Sequence, residues 1–248
     1  MKIDNSRYEL FVKNPEKYRL TFESTGIEAG GSHAAGGLAP INLPFALARG
    51  SAMHMFIEHW NKKLPAVKSL RLFQEANFEK RAYDVGKAMF QAFLQRYEFD
   101  TRFKIISDDK GVYSEREFEV PIPGSPHIMI GKMDEIIEFE GDLWVGDYKS
   151  ANAKATENKK TIEFGFSSQP LFYINAARQL GYDVKGMLYR VVTEHVAVQH
   201  YIIKSKRTDH ALTVGLLNIH QVAEQIELLR RTFGVHTPWP HNFFHYPC

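Results

Sequence analysis

The stretch HIMIGKMDEIIEFEGDLWVGDYKSA, residues 127–151, constrains the fold more than any other part of the chain. Two runs rich in β-branched and aromatic residues flank Glu140-Gly141, a dipeptide suited to a tight turn, and this predicts an antiparallel hairpin. Side chains alternate along a strand, so Asp147 and Lys149 share one face while Tyr148 points the other way. Leu143 and Val145 fall on the Asp147 face and are expected to anchor it in the core. The partner strand carries Asp134 back toward Asp147. Two carboxylates converging at a strand edge suit a hard cation such as Mg²⁺ or Mn²⁺. A lysine one pleat away can hold or deprotonate a water, or offset charge building on a phosphate. The same residues also suit an edge strand with solvated charges, and Asp-x12-Asp-x-Lys alone does not choose between the two.

The rest of the chain supplies the setting. Residues 5–22 read as an amphipathic helix broken at Asn14-Pro15, because proline disfavours the helical state of its predecessor. Residues 25–44, rich in Gly, Ala and Pro, read as a mobile loop. Helices are expected over about 44–62 and 74–97, followed by strands in FKIIS, VYSEREFEVPI and the hairpin. A polar loop over 151–163 leads to a helix near 167–180 that stops at Gly181. Two strands, VKGMLYRVV and VAVQHYIIKS, precede a long helix over about 209–233. This order predicts one α/β domain spanning 1–248, a central mixed β-sheet flanked by helices. Its helical N-terminal part, about 1–100, is expected to form part of the cleft, and a flexible tail is expected from about 234.

With 248 residues and a net charge of +2, the chain can bury a sizeable core but carries no global basic field. The one cysteine, Cys248, excludes an internal disulfide or a four-cysteine metal site. No apolar run is long enough to span a membrane, and MKIDNSRYEL has no apolar signal core, so a cytoplasmic location is expected.

Further motifs accompany the hairpin. GKMD and DYK are preceded by GSAMH, with Gly50, Ser51 and His54, and followed by QPLFY, with Gln169 and Tyr173. In this order they resemble the PD-(D/E)XK nuclease superfamily, specifically its RecB-like branch, which includes CRISPR-adaptation nucleases and many phage exonucleases. The resemblance runs from about residue 6 to about 200. It implies a restriction-endonuclease-like core and a metal shell of His54, Asp134, Asp147 and the carbonyl of Tyr148. It further implies catalytic roles for Asp134, Asp147, Lys149, Gln169 and Tyr173. The expected activity is Mg²⁺- or Mn²⁺-dependent hydrolysis of DNA, most simply as an exonuclease in DNA processing, recombination or repair. A water aligned by Lys149 would attack the phosphorus in line with the leaving oxygen. A nuclease-fold module that binds nucleic acid without cutting it is the alternative; such copies usually lose an acid or the lysine, and this chain keeps both.

Each matched residue has a plainer reading as well. His54 can pair with Glu58 four residues on, and Tyr173 can be a core tyrosine. Glu117 is a further acid near the site, although Glu115 and Glu119 share its face and a solvated strand is expected there. Met133 stands where the family often has proline. Cluster-bearing relatives use four cysteines; Asn14 occupies the place of the first and only Cys248 remains, so no iron–sulfur cluster is expected. His236, His241, His245 and Cys248 are zinc-type ligands in the tail. Lys154, Lys159 and Lys160, with Lys204, Lys206 and Arg207, stand where they can follow a phosphate backbone, and Phe164 and Phe166 can stack on bases or fill the core.

Overall fold

The computed structural model describes residues 1–23, 44–64, 80–194, 198–235 and 237–239. The expected loop over 25–44 falls almost wholly outside these residues. So do residues 65–79 and the tail ligands His236, His241, His245 and Cys248. The chain forms two compact units: Met1–Ile41 with Glu117–Lys132 and Arg207–Cys248, and Asn42–Arg116 with Met133–Lys206.

In the first unit, strand β1 (Lys2–Ile3) leads into helix α1 (Asn5–Lys13), capped by Asp4, whose carboxylate accepts from Arg7 N at 2.8 Å. Asn14 leaves the helical region and caps the short α2 (Pro15–Tyr18), with Pro15 at its first position. A π-helical turn follows over Arg19–Glu23. Tyr18 stacks on Trp239, Phe11 meets Tyr18 edge-on, and the Tyr18 hydroxyl donates to Glu23, which pairs with Arg230 at 2.6 Å.

The second unit carries helices α3 (Phe45–Asn61) and α4 (Lys80–Tyr97). Strands β2 (Phe103–Ile105), β3 (Ser107–Asp108), β4 (Gly111–Val112) and β5 (Ser114–Pro121) come next. Among the described residues, β3 and β4 form a separate two-stranded ribbon. The hairpin is β6 (Ile128–Phe139) and β7 (Asp142–Ala151), whose starting residues 128–132 belong to the first unit, where β1 runs parallel to them. Glu140 and Gly141 have φ of 54° and 83°, the positive pair that a two-residue hairpin turn requires. Helices α5 (Glu157–Phe166) and α6 (Gln169–Gln179) and strands β8 (Val184–Thr193) and β9 (His200–Ser205) follow in this unit, and helix α7 (Asp209–Phe233) belongs to the first unit.

The sheet is mixed. β7 is antiparallel to β6 and parallel to β8, and β8 is antiparallel to β9. β7 and β8 are interior strands, so they read as nearly continuous apolar runs. Met53, Ile57, Met89, Phe93 and Tyr97 of α3 and α4 form one buried cluster with Tyr148 and Val192 on one sheet face. α6 packs on the sheet at β8, and on that opposite face Phe164 of α5 stacks on Tyr189 at 4.0 Å.

Two expectations need correction. Residues 151–163 are not a continuous loop, because Thr156 caps α5 and puts Lys159 and Lys160 on a helix. The signal was faint: Ile162 and Phe166 are exposed, and only Phe164 turns inward, which removes it as a base-stacking surface. Leu143 is only half-buried, so Val145 alone anchors the Asp147 face from that strand.

Candidate active site

The site forms where the hairpin ladder ends. β6 and β7 pair from Phe139↔Asp142 up to Glu135↔Gly146. Two residues beyond Gly146, Tyr148 N donates to the Asp134 side chain, Oδ2, at 2.8 Å, where a continued ladder would use a backbone carbonyl. The strands therefore part at Asp134 and leave its carboxylate facing β7.

On β7, Lys149 Nζ lies 2.9 Å from Asp147 Oδ1 and 2.7 Å from Oδ2. Gln169, the first residue of α6, donates to the same Oδ1 at 2.7 Å. Oδ2 is buried and is the nearer of the two oxygens to the ammonium, an ion-pair contact outside the hydrogen-bonding direction. Tyr173, one turn further along α6, is half-buried.

Helix α3 brings His54. It can approach β7 closely because Gly50 has no side chain: a Cβ there would sit 3.2 Å from Ser150 Oγ. His54 Nε2 is 2.7 Å from the Tyr148 carbonyl, and Nδ1 is 3.3 Å from Glu115 Oε1 and 3.4 Å from Asp134 Oδ2. The alternative partner, Glu58, bonds Lys62 instead.

Glu115 is the residue that sequence reasoning missed. Strict alternation would put it on the solvated face with Glu117 and Glu119, and those two are indeed exposed. Glu115 has φ of 51°, and this left-handed residue breaks the phase and turns a side chain only 6% exposed toward His54. No sequence signal marks that irregularity. Ligand atoms of His54, Glu115 and Asp134 lie within 4.8 Å of one another.

The electrostatics follow from this crowding. Burial pushes the Asp134 carboxyl up; His54 opposes that, and Asp147 and Glu115 reinforce it, to about 8. Burial pulls the His54 imidazolium down, but Asp134 and Glu115 outweigh it and hold it near 9. Both His54 nitrogens then donate, and its proton sits among the acids as a cation would. Burial also works against the Lys149 ammonium, yet Asp147 and Asp134 raise it and keep it charged.

The adjacent acid, Glu135, faces the other side of the sheet. It is fully buried and paired with Arg190, and the Tyr148 hydroxyl donates to it. Gly146 makes room: a Cβ there would clash with the Glu135 carboxylate. Arg190 also donates to the Tyr148 hydroxyl at 2.8 Å and lies over the rings of Tyr148 and Phe93. Consecutive acids on β6 thus serve different faces.

A divalent cation fits the donor set. One imidazole, the carboxylates of Glu115 and Asp134 and a peptide carbonyl lie together here, with the Asp147–Lys149 pair close enough to act on them electrostatically, and hard oxygen-rich sets of this kind suit Mg²⁺ or Mn²⁺.

Comparison with known proteins places the chain in a family. The sequence profile of the PD-(D/E)XK nuclease superfamily matches residues 5–235. A crystal structure of a Eubacterium rectale protein, described only provisionally as an exonuclease, superposes with a TM-score of 0.58 at 15% identity. That match covers 91% of this chain and 80% of the other. A second structure, SSO0001, covers 79% of this chain and 80% of its own at 12% identity, but its TM-score of 0.32 is too low to bear on the fold. No curated protein sequence matches significantly. With the profile spanning nearly the whole chain, the chain belongs to the PD-(D/E)XK nuclease superfamily.

Proposed function

We propose that the protein is a divalent-metal-dependent deoxyribonuclease that hydrolyses phosphodiester bonds, working as an exonuclease on DNA ends. The observation that supports this reading is the cluster of His54, Glu115 and Asp134 where β6 and β7 part, with the Asp147–Lys149 pair acting on it from β7.

Asp134, Asp147, His54 and the Tyr148 carbonyl, joined by Glu115, would hold the cation, Mg²⁺ or Mn²⁺. When bound, it supplies Lewis-acid stabilisation of charge on the phosphate and activation of water. The protein's own groups do the rest. Lys149, kept as an ammonium, acts as a hydrogen-bond donor to the phosphate oxygens and to the attacking water rather than as a base. Gln169 fixes the Asp147 carboxylate, which in turn orients Lys149. Tyr148 ties this arrangement to the core, since its hydroxyl is bonded into the Glu135–Arg190 pair on the opposite face. Nucleic acid as the substrate gains support from Phe166, 89% exposed at the end of the helix that follows β7, where a base can stack.

End-labelled single- and double-stranded DNA incubated with Mg²⁺ or Mn²⁺ tests the proposal. Stepwise shortening from one end, lost in Lys149→Ala and Asp147→Asn, is expected. An inert wild-type protein, or variants with full activity, would overturn it.

A further inference from the structure

A second cluster of ligand-type side chains lies in the first unit. His127 ends the turn that joins β5 to β6, and His220 and Glu224 stand one turn apart on one face of α7. One ligand atom from each lies within 4.8 Å of the others.

Each group is held before any ion arrives. The turn over 122–127 contains Pro123 and Pro126. Ile122 N closes it onto the His127 carbonyl, and Ser125 N onto the Ile122 carbonyl, both at 3.0 Å. Ile219 and Ala223, fully buried, seat the adjoining face of α7. His127 is 4% exposed; its Nδ1 faces the Met1 ammonium at 2.9 Å, and its Nε2 donates to Glu224 Oε1 at 2.7 Å. His220 meets Ser125 Oγ through Nδ1 at 2.8 Å, and among the described residues nothing hydrogen-bonds its Nε2. Metal-binding histidines are commonly fixed in this way, one ring nitrogen engaged outside and the other left to ligate.

A proton now fills the place between His127 Nε2 and Glu224. In a tetrahedral shell with bonds of about 2.0–2.1 Å, ligand atoms stand about 3.3 Å apart, so this pair must open by roughly 0.6 Å. The Glu224 side chain, 45% exposed, has room to move that far. As the ion enters, the Nε2 proton leaves to solvent and Nδ1 takes one from the Met1 ammonium. The ring stays neutral and one proton is released.

The donor set specifies the ion. Two imidazoles and one carboxylate suit a borderline cation such as Zn²⁺, Co²⁺ or Ni²⁺, whereas Mg²⁺ demands oxygen. Mn²⁺ stands lowest in the ordinary affinity order, so a titration of the active site with it leaves this cluster empty. Three protein ligands leave a fourth place for water.

We propose that His127, His220 and Glu224 bind a borderline divalent transition-metal ion, Zn²⁺ above all, which pins the β5–β6 turn to α7. The site shares no residue with the active site and does not depend on the nuclease reading.

The test is a Zn²⁺ titration of the wild type and of Asp134→Asn, in which the active-site set is broken. Long-range ¹H–¹⁵N NMR of the histidine rings at about pH 8 follows each ring separately. Micromolar Zn²⁺ should shift the His127 and His220 nitrogens together in both proteins, and millimolar Mg²⁺ should leave them in place. His220→Ala should weaken zinc binding at His127 by at least about 100-fold, more than losing a ligand's hydrogen-bond partner costs. Glu224→Gln keeps an oxygen to accept from His127 but gives up the anionic ligand, so it should fold normally and bind about tenfold more weakly. Shifts confined to His54 or the tail histidines overturn the site, as do shifts of His127 and His220 that need millimolar zinc. Equal binding in wild type, His220→Ala and Glu224→Gln overturns it too. A protein inert toward DNA that still takes zinc on these two rings overturns the nuclease reading and not this site.

Discussion

Asp134 and Glu135 are neighbours in sequence and opposites in physics, and exchanging each for its amide separates their roles. Glu135→Gln leaves the Arg190 guanidinium, 3% exposed, without a counter-charge and with only the Tyr148 hydroxyl, which Asn61 also bonds, still accepting from it. Breaking a buried pair from one side costs about 3–5 kcal/mol. At about 2–4 °C per kcal/mol for a chain of this size, the midpoint should fall by roughly 6–20 °C. Asp134→Asn does something different. Asn keeps an oxygen for Tyr148 N and removes one of three crowded carboxylates, so its stability should stay within about 1 kcal/mol of wild type or rise. Urea unfolding gives both numbers, and a metal-dependent cleavage assay on the same preparations gives the functional side. Asp134→Asn should be stable and inactive. Glu135→Gln should be destabilised, with residual activity at low temperature. If Asp134→Asn loses as much stability as Glu135→Gln, or Glu135→Gln unfolds like wild type, the division of labour across β6 is wrong.

Other outcomes follow from the same contacts. Gly50→Val puts branched carbon against Ser150 Oγ and should push α3 outward, lowering cation affinity by about tenfold through His54 while the fold survives, as read by Mn²⁺ titration and circular dichroism. Protons and cation compete for the same atoms, so groups raised to about 8 and 9 make affinity weak at low pH. Mn²⁺ affinity should rise between about pH 7 and pH 9 and level off above, with proton release detected by calorimetry in buffers of different ionisation enthalpy. Glu115→Gln removes one of the carboxylates that hold the imidazolium, so the His54 titration followed by NMR should move down toward the ordinary value. Phe166→Ala should leave stability unchanged and weaken single-strand binding by about 1–3 kcal/mol, measured by fluorescence anisotropy without metal.

How much of this was legible in the sequence depends on the kind of signal. The β6–β7 hairpin was plain because Glu140-Gly141 sits between alternating runs, and alternation then fixed Asp147 and Lys149 on one face. The 3.6-residue period placed α7 from Asp209 to Phe233, and Gly50 and His54 one turn apart on α3. Glu115 was hidden because a single left-handed residue inverts the faces of a strand, and glutamate gives no warning of it. Helix α5 was hidden because two of its apolar residues, Ile162 and Phe166, face solvent and blur the period. The Glu135–Arg190–Tyr148 network joins residues 55 positions apart across the sheet, and only the register of β7 with β8 brings them together.

The account's central claim is that the end of the β6–β7 ladder is built to hold a divalent ion. Calorimetric titration of Mn²⁺ into wild-type protein and Asp134→Asn, side by side at about pH 8 where the ligands shed their protons, asks this directly. Saturable heat in the wild type that disappears in the variant is the predicted result. No heat in either protein, or the same isotherm in both, would contradict it.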